Sequence, residues 1–118
     1  MRELCISADG VVLAEHVRIA DSFSSRFLGL MGRRSLAEGE GLLLKNCSSI
    51  HCCFMRFPID AVYLDEAFCV KRTETVRPWR LGSLVPGARH VLELRAGAAA
   101  KVKSGQKLIG EERVNCDE

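Results

Sequence analysis

Residues 47–76 read CSSIHCCFMRFPIDAVYLDEAFCVKRTETV, and the order of turn formers and strand formers within them decides the fold. Phe57-Pro58 forces a turn or a sheet edge, because proline cannot donate to a hydrogen-bond ladder. Residues 61–64 resume as a strand, and Asp65-Glu66 makes a short connection. Residues 67–76 are then dominated by β-branched and aromatic side chains, Phe68, Val70, Thr73, Thr75 and Val76, which suit a pleated, half-buried surface. The reading is a hairpin to which Tyr63 and Phe68 both belong. Residues 50–54, ahead of the proline, can continue as extended chain.

The same grammar extends outward in both directions. Toward the N-terminus, short apolar runs at 4–7 and 11–14 flank Ala8-Asp9-Gly10, and Asp-Gly favours a tight hairpin turn because both positions tolerate positive φ. Residues 16–20 alternate, with Val17 and Ile19 opposite His16 and Arg18, as a half-buried strand does, and His16 is placed at the surface. Ser22 can cap a helix in which Phe23, Phe27, Leu30 and Met31 recur at helical spacing before Gly32. Arg26 lies among these residues and needs solvent or a carboxylate partner. Residues 42–44 form a continuous apolar run suited to a buried strand.

Toward the C-terminus, Arg77-Pro78-Trp79-Arg80 ends the second hairpin, and Gly82, Pro86 and Gly87 mark a loop. Residues 89–94 alternate, His90, Leu92 and Leu94 against Arg89, Val91 and Glu93, as a further strand. Ala96-Gly97 breaks it, residues 98–103 favour one helical turn, and residues 107–109 make a last short strand. Many short strands with one good helix predict an α+β domain, mostly antiparallel β. The sheet is a small barrel-like or sandwich-like one, with one short helix near residues 22–31.

With 118 residues the chain fits a single domain spanning 1–118, and a domain of that size buries roughly two thirds of its unfolded surface. Hydrophobic residues make up 47%, charged residues 27%, and mean hydropathy is +0.06, which excludes a disordered chain. No apolar run approaches the ~20 residues of a membrane span, so the expectation is a cytoplasmic protein without a membrane partner. The six cysteines, Cys5, Cys47, Cys52, Cys53, Cys69 and Cys116, then read as reduced, small apolar side chains and not as a disulfide framework. A net charge of +2 is too small to imply nucleic acid, which needs clustered cations.

Three constellations can carry chemistry. A thiol nucleophile needs a base and an orienting carboxylate, which makes Cys53, His51 and Asp60 the trio for a thiol-dependent hydrolase or redox protein. Cys53 shares a face with His51 on an extended strand, at roughly 7 Å, and needs a local bend to touch it. Cys47, His51 and Cys53, with Cys52 or Cys116, offer thiolate and imidazole to zinc, but structural zinc ligands come in two closely spaced pairs and only one cluster stands here. Arg77, Trp79 and Arg80, with Lys71 and Arg72 near them, could stack a base and hold phosphates as single-stranded nucleic-acid binders do. Asp60 and Asp65 are offset by five residues and fall on opposite faces of a regular strand, so they are no acid/base pair. Asp60 suits a structural role, accepting backbone N–H bonds in the turn or pairing with Arg26 or Arg56.

A resemblance joins several of these residues. Arg26, Gly29-Leu30-Met31 with Arg33, Ser49-Ile50-His51, Met55-Arg56-Phe57-Pro58-Ile59-Asp60, Leu64-Asp65, Pro78-Trp79-Arg80 and Val91-Leu92-Glu93-Leu94 with Ala96-Gly97 together resemble domain-of-unknown-function family 192, also called uncharacterised protein family 0127. The likeness runs from about Val17 to Leu108. It implies a compact, mainly β, prokaryotic domain with an early short helix, and it implies no activity. His51-Cys52-Cys53-Phe54 replaces the Trp-Met-Lys-Asn of many members, Arg95 replaces a proline, and Gly105-Gln106 replaces Gly-Asp.

Without a complete catalytic constellation, the sequence reads as a binding or interaction module for a small ligand or peptide and not as an enzyme, with no cofactor. The ligand-binding residues are His51, Met55, Asp60 and Arg26, with Trp79 at the rim of a groove of the kind small β-barrels hold at their mouths. The alternatives are the Cys-His hydrolase or redox protein and the single-stranded nucleic-acid binder.

Overall fold

The chain is described from a computed structural model, which covers residues 3–20, 36–46, 57–78, 80 and 82–112. Seven strands, β1 Glu3–Ala8, β2 Val11–Ala20, β3 Glu40–Leu44, β4 Ile59–Leu64, β5 Val70–Val76, β6 His90–Arg95 and β7 Leu108–Glu112, form one sheet in the order β5-β4-β6-β3-β2-β1-β7. Every neighbouring pair is antiparallel except β2 and β3, which run parallel with His16 opposite Glu40 and Ala20 opposite Leu44. A parallel pair needs a long crossover, here residues 21–39. The sheet is thus mixed, mostly antiparallel.

The local chemistry explains the turns. Ala8 pairs with Val11 across a two-residue loop, and Asp9 (φ 52°) and Gly10 (φ 81°) both adopt the left-handed conformation. That is the geometry whose twist matches a right-twisted hairpin, so the first hairpin stands where the Asp-Gly pair placed it. The second joins β4 to β5, Ile59 opposite Val76 and Tyr63 opposite Arg72. Its return strand begins at Val70, later than residue 67, because the chain is still turning at Phe68.

The sheet curls into a half-barrel whose edge strands meet at one end. Cys69 bridges to Lys107, the Leu108 N–H donates to the Phe68 carbonyl at 2.9 Å, and the Val70 N–H donates to that of Gln106 at 2.8 Å. Curling gives the central strands two buried faces. On β3, Leu42 and Leu44 join Ile59, Ala61, Tyr63 and Val91 on the outer side, whereas Leu43 joins Ile6, Val17, Val62, Leu64, Leu92 and Leu108 inside. Strands buried on both faces read as unbroken apolar runs, which is why residues 42–44 and 61–64 carry no polar alternation. Gly41 lets β6 come close: a Cβ there would lie 2.9 Å from Leu94 Cδ2 and 3.1 Å from the Glu93 carbonyl oxygen.

Two expectations need comment. The helix near residues 22–31 lies outside the described residues, among which no helix is found, and none long and apolar enough to cross a membrane. Residues 98–103 make successive turns instead of a helical turn, with Ala98 N–H to the Arg95 carbonyl at 2.9 Å and Val102 N–H to that of Ala99 at 3.0 Å. The bonds span three residues and not four, Gly97 at φ 94° turns the chain ahead of them, and a side chain from β4 accepts two N–H groups at the start of the segment.

Candidate functional site

That side chain is Asp60. It is 5% exposed and points inward beside Leu94, its partner on β6. Its Oδ2 accepts the N–H groups of Gly97 at 2.9 Å and Ala99 at 3.0 Å, and its Oδ1 accepts the Thr75 hydroxyl at 2.8 Å. The carboxyl group therefore ties three separate segments together, and the backbone donors come from the β6–β7 connection, far along the chain from its own turn. Of the ligand-binding, thiol and metal candidates, Asp60 is the one whose surroundings are described, and of the basic set Lys71, Arg72, Arg77 and Arg80 are exposed, with Arg72 Nη2 3.6 Å from Glu74 Oε1. Arg26, Cys47, His51, Cys52, Cys53, Met55, Trp79 and Cys116 lie outside the described residues. Among the described residues no three His, Cys, Asp or Glu side chains gather as a metal site would require, and Cys5 and Cys69 are half-buried free thiols.

A second buried acid escaped the sequence reading as a site residue. Glu93 stands on β6 between Ala61 of β4 and Leu42 of β3, on the outer face, and is 4% exposed. Burial pushes its carboxyl up to about 8, because a charge in an apolar setting loses its hydration. The signal in the sequence was an acid inside the apolar run Val91-Leu92-Glu93-Leu94. Alternation placed it opposite Leu92 and Leu94, and only the second face of the sheet makes that position buried too.

At the edge strand a third acid organises the loop after β5. Glu74 Oε2 accepts the Tyr63 hydroxyl at 2.5 Å and the Ser83 N–H at 2.7 Å, and Oε1 accepts the Ser83 hydroxyl at 2.8 Å. Burial opposes the ionisation of Glu74, but these donors outweigh it, aided by Arg72, and hold the carboxyl below its ordinary value. Burial and the same contact with Glu74 raise Tyr63 well above the ordinary phenol range. With the Tyr63 ring fully buried, this cluster anchors Ser83 to β5.

The end of the half-barrel where its edge strands meet offers a cavity. Asp65 Oδ1 accepts the N–H groups of Ala67 and Cys69, each at 2.9 Å, and bends residues 65–69 so tightly that Phe68 sits at φ 66°. A bulky residue rarely adopts that conformation, and such strain costs of order 1–3 kcal/mol. It aims the ring at His90, with centroids 5.1 Å apart. His90 Nδ1 accepts the Asn46 N–H at 3.1 Å, and burial, with the charges of Lys45 and Arg89, holds the imidazole below its ordinary value. Beside Phe68 a cleft of about 590 Å³ opens, floored by Leu43 and Leu108 and walled by Leu4, Ile19 and Ile109, with Lys45 and Lys107 also lining it. The sequence places Phe68 in a strand, and the structure places it in a turn at φ 66°, since nothing in its residue type announces a left-handed conformation.

The comparisons with known proteins bear on the whole chain. The model of the family DUF192, described as Uncharacterized ACR, matches residues 4–110. A UPF0127 protein of Pyrococcus horikoshii is 38% identical over 90 residues, covering 74% of this chain and 78% of its own. A UPF0127 protein of Thermococcus sibiricus is 34% identical over 92 residues, and the match spans 75% of this chain but 60% of that longer relative. The fold is also that of a crystal structure of a protein of unknown function from Novosphingobium aromaticivorans, with a TM-score of 0.78, 18% identity, and coverage of 91% of this chain and 83% of that one. The chain therefore belongs to the DUF192 (UPF0127) family of uncharacterised proteins.

Proposed function

We propose that this domain is a binding module that takes a small, largely apolar ligand at the mouth of its half-barrel. The observation that carries the reading is the cleft beside Phe68. Its volume of about 590 Å³ falls inside the range of roughly 300–1,000 Å³ in which small-molecule sites occur. Its lining is mostly aliphatic and aromatic, and the residue that shapes it is held in a strained backbone conformation. Strain concentrates where a side chain must be presented in a particular way.

The residues singled out from the sequence enter the proposal differently. Arg26, His51, Met55 and Trp79 stand in the blocks that carry the family resemblance and form a second candidate contact set for the same small ligand or a peptide. Asp60 belongs with that second set by the sequence blocks, and its oxygens already serve Thr75, Gly97 and Ala99, none of which lines the cleft. A nucleic-acid ligand is less well supported. The shallow crevice lined by Lys101, Lys103 and Lys107 has no aromatic platform among its lining residues, and stacking is what single-strand binders rely on.

The test is titration with a neutral apolar fluorophore such as N-phenyl-1-naphthylamine. Saturable enhancement of emission is expected, weakened roughly tenfold in Phe68→Ala, the equivalent of losing about 1.4 kcal/mol of ring contact. No saturable enhancement in the folded protein, or equal affinity in Phe68→Ala, would overturn the assignment of the site.

A further inference from the structure

We infer that His90 is an acid-sensitive latch on this cleft: while neutral it holds two of the segments that line the cleft, and protonation releases them. The inference rests on the binding reading above and adds how that site is regulated. His90 is 7% exposed and pairs with Leu64 of β4, a residue of the inner cluster. It is not among the described lining residues, yet it touches both segments that flank the opening. Its Nδ1 accepts the Asn46 N–H at 3.1 Å, directly after the lining residue Lys45. Its ring meets that of the lining residue Phe68 with centroids 5.1 Å apart and planes tilted by 59°. One side chain thus joins the end of β3 to the turn that supplies the aromatic wall.

Accepting an N–H through Nδ1 requires a lone pair there, so the ring is the neutral tautomer with its proton on Nε2. A second proton goes to Nδ1 and turns the acceptor into a donor that faces another donor. The Asn46 amide then loses its acceptor at His90, and either the imidazolium turns away or the chain at residues 45–46 moves. A cation beside the Phe68 ring is no conflict in itself, so the amide is where the proton acts. The charged groups around the ring set the pH range. Burial comes first, then Lys45 at the end of β3 and Arg89 next to His90 in the chain, and together they hold the imidazole below its ordinary value against the opposing pull of Glu66 and Asp65 from the turn after β4. The latched form therefore persists below about pH 6.5, and release belongs to more acid conditions. Protons favour the released form, so ligand affinity falls as pH falls, and by reciprocity a bound ligand makes the ring harder to protonate.

The experiment titrates N-phenyl-1-naphthylamine, which stays neutral throughout, into the wild-type protein and into His90→Asn at steps from about pH 7.5 to about pH 5, with circular dichroism recorded at each step. The amide oxygen of the variant stands close to where Nδ1 stood and does not titrate. Wild-type affinity is expected to fall roughly tenfold across the range, and that of His90→Asn to change by less than about twofold. In the wild type, heteronuclear NMR should show the Asn46 amide shifting with the same midpoint as the His90 ring, and saturation with the probe should move that midpoint further down. An affinity that is flat with pH in the wild type, or that falls equally in His90→Asn, would overturn the latch while leaving apolar binding intact. Unfolding of the wild type before the probe is released would overturn it too. No saturable binding at any pH would overturn the binding reading, and the spectra then decide the latch by themselves: an Asn46 amide that does not respond to protonation of His90 removes it.

Discussion

Asp60 and Glu93 are both buried acids on adjacent central strands, yet they sit in opposite circumstances. Asp60 faces the interior and accepts three hydrogen bonds from three segments. Glu93 faces the outer apolar cluster next to Ala61 and Leu42, and desolvation pushes its carboxyl up to about 8. Equal burial therefore does not mean equal chemistry. Fixed donors make Asp60 a tie between segments, whereas burial in an apolar setting favours the neutral form of Glu93.

The comparison is broken first by pH. Glu93 has a folded-state value raised from 4.5 to about 8, so the folded state holds the proton more tightly than the unfolded chain. Its contribution to stability is fully present below about 4.5 and is lost as pH rises through about 8, a span of about 5 kcal/mol at full effect. Glu93→Gln cannot titrate. Subtracting its denaturation free energies from those of the wild type across that window isolates the slope from Glu74 and His90, whose values are lowered and whose contributions fade as pH falls. A difference that stays flat between these limits would remove Glu93 from the role assigned to it.

Second in size is the removal of the donor-satisfied acid. Asp60→Ala leaves the N–H groups of Gly97 and Ala99 without their acceptor and is expected to cost about 3 kcal/mol in urea denaturation, with Asp60→Asn costing roughly half of that. If Asp60→Ala cost no more than a surface substitution, the link between β4 and the 97–99 turns would carry no stability. The smallest effect sharpens the contrast. Thr75→Val deletes only the hydroxyl on Oδ1, at an exposed position, and should lower stability by about 1 kcal/mol or less. A larger loss would mean that the interstrand hydroxyl, and not the turn amides, is the main partner of Asp60.

How much of this was legible follows from the range of each cause. The Asp9-Gly10 hairpin, the apolar strand at 42–44 and the strand pair around Asp65-Glu66 were readable because their signals are local: positive φ at two adjacent residues, and side-chain periodicity within one strand. The surroundings of Glu93 were not, because a second buried face exists only once β3, β4 and β6 lie side by side and the sheet curls. Neither was the cleft, whose walls come from β1, β2, β3, the turn at Phe68 and β7. Asp60 was half legible. Its residue type and its place after Pro58-Ile59 called for backbone donors, but donors 37 and 39 residues away belong to no local pattern.

The family is a property of the sequence alone, since ordered short blocks between Val17 and Leu108 carry it and the match over residues 4–110 bears it out. So is the mainly antiparallel β character, because turn chemistry and alternation act over a few residues. Tertiary structure alone decided the parallel pairing of β2 with β3, the meeting of Cys69 with Lys107, and the gathering of Lys45, Phe68 and Lys107 around one apolar cleft. Each of these brings together residues whose separation along the chain is set by crossovers and curl, for which no short stretch of sequence encodes a distance.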